Sequence, residues 1–177
     1  MELFILRHGE AGERSSSLVG DKKRPLTSSG KLEISEIAKA LKIIGLKFDL
    51  VITSPLKRAY DTATIVSEVL KIGNKVQVWK ELTPEGQKTE LYRKISELKE
   101  EDIVLMVGHQ PLLGEMTNDM IHRGKSSPCN LLLKKGGIIR IRLKTRSSVP
   151  KGELRWLVTP RILKSISKKK SYDSLQD

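Results

Sequence analysis

Three short apolar runs constrain this chain most: Leu3-Phe4-Ile5-Leu6, Asp49 to Thr53, and Asp102 to Val107. Runs of that length without polar alternation read as strands buried on both faces. Such strands belong in a parallel sheet covered by helices on either side, and helical periodicity fills the intervals between them. Each run also leads into reactive residues. Arg7-His8-Gly9-Glu10 follows the first, Ser54-Pro55-Leu56-Lys57-Arg58-Ala59 the second and Gly108-His109-Gln110-Pro111 the third. Strand C-termini of a parallel sheet share one edge, where open α/β sheets hold their ligands.

The intervals can be read in the same terms. His8 to Pro25 is a long polar loop. Thr27 predicts a helix N-cap, with Leu32, Ile37, Ala38, Leu41 and Ile44 as the apolar face and Gly45 as the stop. Ser54 predicts a second cap with Pro55 in the first helical position, opening a helix to about Lys71 whose inner face is Ala59, Ala63, Val66 and Leu70. Val76 to Trp79 reads as a short strand, Lys80 to Gln87 as loop and residues 88–99 as helix; Pro111 opens a helix to about His122. Leu131 to Leu133 and Ile138 to Leu143 flank Lys134-Lys135-Gly136-Gly137 in a hairpin pattern, and Glu153 to Thr159 is the last strand. Ile139, Ile141 and Leu143 alternate with Arg140, Arg142 and Lys144, as in a strand with one solvated face. The expected fold is a three-layer α/β/α domain over residues 1–163, its central sheet mostly parallel with an antiparallel strand and helices on both faces. A basic, flexible tail over residues 164–177 is expected to follow.

Composition narrows the function classes. A chain of 177 residues fits one domain, and its apolar runs are far shorter than the roughly 20 residues of a membrane span. Met1-Glu2 leads directly into a strand without a signal-peptide pattern, and cytoplasm is the expected compartment. Cys129 is the one cysteine, so no intrachain disulfide forms. Three histidines and one cysteine, widely spaced, make no metal-ligand pattern, and no cofactor is expected. The net charge of +12 favours anionic partners. Lys168-Lys169-Lys170 has only Tyr172 as a neighbouring aromatic and no nucleic-acid motif accompanies it, so nucleic acid is not the expected partner. Nothing in the sequence sets the oligomeric state.

The reactive residues suit phosphoryl chemistry. A phosphoryl dianion needs several fixed donors, and arginine forks hold its oxygens two at a time. Arg7, Arg24 and Arg58 can form such a cradle, with His109 as a further donor to the equatorial oxygens. A neutral imidazole can attack phosphorus to give a covalent phosphohistidine, and His8, beside Arg7 and ahead of Gly9, is the candidate nucleophile. A leaving group of high pKa needs a proton donor, for which Glu81 is the candidate. His122, Cys129, Trp79 and Trp156 carry no expected catalytic role.

These segments resemble the histidine phosphatase superfamily, and within it the small SixA-type phosphohistidine phosphatases. The resemblance runs through Arg7-His8-Gly9-Glu10 after a strand, Arg24-Pro25-Leu26-Thr27 with Gly30, Ser54-Pro55-Leu56-Lys57-Arg58-Ala59 with Thr62-Ala63, Glu81-Leu82-Thr83-Pro84 with Gly86, and Val107-Gly108-His109-Gln110-Pro111. It implies His8 as the phosphorylated nucleophile and Arg7, Arg58 and His109 as the phosphate pocket, with Arg24 matching the SixA-type arginine. Glu81 falls at the general-acid position of larger relatives, although the residues after it differ. The SixA-type resemblance implies a protein-borne phosphohistidine as substrate. A phosphatase for small phosphate esters or nucleotides is the rival enzyme. A non-catalytic binder of phosphorylated or nucleic-acid partners is the reading from another class, and an intact His8 argues against it.

Overall fold

The structure is a computed structural model and describes residues 1–13, 17–73, 75–122, 131–145 and 147–173. Its middle layer is a single sheet built from β1 (Glu2–Arg7), β2 (Leu50–Thr53), β3 (Val76–Val78), β4 (Ile103–Gly108), β5 (Ile138–Thr145) and β6 (Lys151–Val158). The strand order is β3-β2-β4-β1-β5-β6. The first four strands in that order run parallel, while β5 lies antiparallel to β1 and β6 antiparallel to β5. The helices are α1 (Leu18–Lys23), α2 (Ser28–Ile43), α3 (Lys57–Leu70), α4 (Lys88–Ser96), α5 (Leu112–Ile121) and α6 (Pro160–Asp173).

The apolar runs are buried on both faces, as their composition requires. Leu3 and Ile5 of β1 enter one core with Leu91 and Ile95 of α4 and Met116 and Met120 of α5. Phe4 and Leu6 enter the other with Ile34 and Ile37 of α2, Ala63 and Val66 of α3, and Leu163 of α6. The three layers are therefore α, β and α, with the antiparallel strands added at one side.

Register then places the site. Arg7 of β1 pairs with Gly108 of β4, and Thr53 of β2 pairs with Val107 of β4. The next residues are His8, His109 and Ser54, which leave three neighbouring strands at one level. The Ser54 amide donates to the Val107 carbonyl at 3.0 Å and the His8 amide to the Gly108 carbonyl at 3.1 Å.

Several expectations are corrected. The long polar loop contains α1, which the sequence reading misses because its Asp-Lys-Lys segment has no apolar stripe; Ser17 caps it by accepting from the Gly20 amide at 3.0 Å. Thr27 does cap α2, accepting from the Gly30 amide at 2.9 Å. Leu32 and Ile44 are exposed, however, and Ile34 and Ala40 are buried in their place. The ladder 34, 37, 38, 41 keeps the i, i+3, i+4 spacing that residue 32 breaks. Helix α3 begins at Lys57 with Leu56 as its N-cap residue. Ser54 forms the turn before it, its Oγ accepting from the Leu56 amide at 3.3 Å.

The last third differs more. Leu131 to Leu133 is not a strand, and the partners of β5 are β1 and β6. Strand β6 starts at Lys151, two residues early. In place of a tail from residue 164, α6 runs on through Asp173 and packs against α2. Leu163 is buried there and Lys164 Nζ donates to Glu33 at 2.7 Å. The basic composition hid a helix whose apolar stripe, among the described side chains, is Leu163 and Ile166. Cys129 and the last four residues lie outside the described residues.

Candidate active site

A cleft of about 730 Å³ opens at the strand ends, lined among others by Arg7, His8, Arg24, Arg58 and His109. His8 and His109 face each other with ring centroids 4.8 Å apart, and both are buried. His8 Nδ1 lies 2.7 Å from the Gly9 carbonyl oxygen. A carbonyl can only accept, so Nδ1 carries the proton and the neutral ring keeps its lone pair on Nε2. Burial pulls the His8 pKa down from 6.5 to about 4; the Gly9 bond opposes this, while Arg58, Arg7 and Arg24 add to the fall. The ring is therefore neutral at physiological pH.

Thr62 anchors this arrangement from α3. Its buried hydroxyl accepts from the Gly9 amide at 3.1 Å and donates to the Arg58 carbonyl at 2.7 Å. Gly9 itself is needed for packing: a Cβ there would stand 2.6 Å from Ile34 Cγ1. The strand exit and two helices are thus locked together at the residue after His8.

His109 is held differently. Its Nε2 lies 3.0 Å from Ser54 Oγ. That oxygen accepts from Leu56 and keeps one proton and one lone pair, so it can pair with His109 Nε2 in either tautomer. His109 Nδ1 is buried with no partner among the described residues. Burial first, and then His8, Arg58, Arg7 and Arg24, push the His109 pKa down from 6.5 to about 2. His109 is a neutral ring with an unused nitrogen, Nδ1, in the cleft wall.

The arginines are tethered by main-chain oxygens. Arg7 donates to the Leu133 carbonyl at 2.7 Å, Arg24 to the Gly12 carbonyl at 2.8 Å and Arg58 to the Asp21 carbonyl at 2.9 Å. Three guanidinium groups are thus fixed around two neutral imidazoles. This combination can bind a tetrahedral dianion without reorganising and present a nitrogen lone pair to it.

Comparison with known proteins agrees with this geometry. Residues 3–85 match the histidine phosphatase superfamily (branch 1). The phosphohistidine phosphatase SixA homolog of Haemophilus influenzae is 33% identical over 137 residues, covering 72% of this chain and 80% of that one. Phosphohistidine phosphatase SixA of Escherichia coli is 33% identical over 122 residues, covering 68% and 74%. This chain belongs to the histidine phosphatase superfamily. The solved structure of the protein histidine phosphatase SixA complexed with tungstate superposes with a TM-score of 0.79 at 29% identity, covering 92% of this chain and 99% of that one. The fold is phosphoglycerate-mutase-like, and the activity at the level of the superfamily is that of a hydrolase. Among the described residues no helix is long and apolar enough to cross a membrane.

The remaining predicted residue of this histidine phosphatase, Glu81, stands apart. It does not line the cleft with His8; it borders an adjoining groove. Its carboxylate accepts from Lys94 Nζ at 2.9 Å. Burial raises the Glu81 pKa, but the Lys94 bond and the nearby charges outweigh it and hold the carboxyl below its usual range. That is the wrong direction for a proton donor.

Sequence reasoning missed Asp21. Its carboxylate lies 3.0 Å from Arg24 Nε and 3.3 Å from Arg58 Nη1, so α1 contributes an acid between two arginines of the cleft. The D-x-x-R spacing of Asp21 and Arg24 in the polar loop carried that signal. It also missed Ser54 and Thr62 as partners of the two reactive segments.

Proposed function

We propose that this protein hydrolyses phosphohistidine on a protein substrate through a covalent phosphohistidine formed on His8. The observation that carries the reading is the protonation of His8: Nδ1–H is spent on the Gly9 carbonyl, and the pKa is low enough to leave Nε2 unprotonated beside three arginines. Arg7, Arg24 and Arg58 take the phosphoryl oxygens, and His109 Nδ1–H donates to an equatorial oxygen as charge redistributes in the transition state. Water then attacks the phosphorus of phospho-His8. The products are H2PO4⁻ and neutral His8, so no external acid is consumed in the second step.

A phosphoramidate leaving group supports the choice of substrate. Once its imidazole carries a proton on the far nitrogen, the P–N bond breaks to release a neutral ring. A site whose Glu81 is bound to Lys94 suits that leaving group better than an alkoxide. The relatives called SixA point the same way.

The test is a substrate panel compared by kcat/KM: a phosphohistidine-bearing protein, sugar phosphates and nucleotides. The expected order puts the phosphohistidine protein first. A higher value for a sugar phosphate or nucleotide would move the function to small phosphate esters.

A further inference from the structure

The carboxylates around the cleft are not equivalent. Asp21 is engaged by Arg24 and Arg58, Glu81 by Lys94, and Glu90 lies 3.1 Å from Arg93 Nε. Glu85 is exposed and forms no ion pair among the described residues. It also occupies a special position. The catalytic cleft and the neighbouring groove of about 580 Å³ share Lys22, Leu56, Thr83 and Glu85. Glu85 therefore stands at the seam where the cleft and the groove meet. Lys22, next in the chain to Asp21, continues the cationic side of that seam.

We infer that Glu85 is a specificity-determining residue that receives the protonated imidazole of the substrate's phosphohistidine; this rests on the substrate reading above. A phosphoimidazole is reactive when its distal nitrogen carries a proton. A carboxylate within reach of that N–H favours the cationic form and accepts its hydrogen bond. His8 Nε2 then bonds to phosphorus as the P–N bond to the substrate ring breaks. The bonding pair returns to the substrate nitrogen, the distal proton stays, and a neutral imidazole departs. No proton moves to Glu85. The same carboxylate opposes a leaving group that departs as an anion.

The consequence is a pair of opposite signs. Glu85→Gln lowers kcat/KM for a phosphohistidine peptide about fivefold, the scale of a solvent-exposed charge pair. It raises kcat/KM for p-nitrophenyl phosphate, whose nitrophenolate departs negatively charged. A damaged fold would lower both, and Glu85→Asp should recover much of the peptide activity. Equal effects of Glu85→Gln on the two substrates, with wild-type protein active on the peptide, overturn the role of Glu85 alone. Wild-type protein inert towards the peptide but active on p-nitrophenyl phosphate overturns the substrate reading and this inference with it.

Discussion

Replacing His8 with Asn should flatten the acid limb of the protein's stability. Asn keeps an N–H donor near the position of Nδ1, so the bond to the Gly9 carbonyl can persist while the titrating ring is lost. In the wild type His8 titrates near 4 in the folded state against 6.5 when unperturbed. Between those values the unfolded chain binds more protons, so acid favours unfolding. The stability is whole above about 6.5 and drains away as pH falls towards 4. Linkage over that interval gives a loss of about 2 kcal/mol between pH 7 and pH 5 from His8 alone. Urea unfolding at both pH values, followed by the fluorescence of Trp79 and Trp156, measures it. The wild type should lose about 2 kcal/mol more than His8→Asn across that range. Parallel losses in the two proteins would refute the buried, neutral state of His8.

Three further outcomes follow. Ser54→Ala removes the hydroxyl that holds the His109 ring through Nε2, so kcat should fall about tenfold with KM near the wild-type value, the scale of a buried hydrogen bond; steady-state kinetics on p-nitrophenyl phosphate read the split. Arg58→Lys keeps the charge but loses the fork that donates to the Asp21 carbonyl and, on the proposed mechanism, to the phosphoryl group, and kcat/KM should drop about 10- to 100-fold. Ending the chain after Leu163 removes the Lys164–Glu33 pair and the packing of Ile166, and should lower unfolding stability by about 1–2 kcal/mol, read from the urea midpoint; a free tail would leave the midpoint where it was.

The legible parts of this molecule share a cause. Leu3 to Leu6 and Val104 to Val107 are apolar on both faces, and only the interior of a covered parallel sheet accepts that, so strands, layers and the shared edge could all be read. His8, Arg58 and His109 follow those strands closely, and their convergence came with the topology. Elements held by polar contacts were not legible. Helix α1 is fixed by Asp21 on two arginines, and α6 by a short apolar stripe under many lysines, so neither shows a strong period. Leu131 to Leu133 has strand composition, but its Leu133 carbonyl is used to hold Arg7. Glu81 illustrates the limit for site residues: its place in the chain suggested an acid, and Lys94, thirteen positions later, changes its chemistry.

The most direct test is to look for the phosphoryl group on His8. Wild-type protein mixed with a phosphohistidine peptide, quenched in alkali within one turnover and analysed by peptide mass spectrometry, should carry a single acid-labile phosphoryl group on His8. The His8→Asn variant should carry none and turn over no substrate. Turnover by the variant, or label found on His109 instead, would contradict the account.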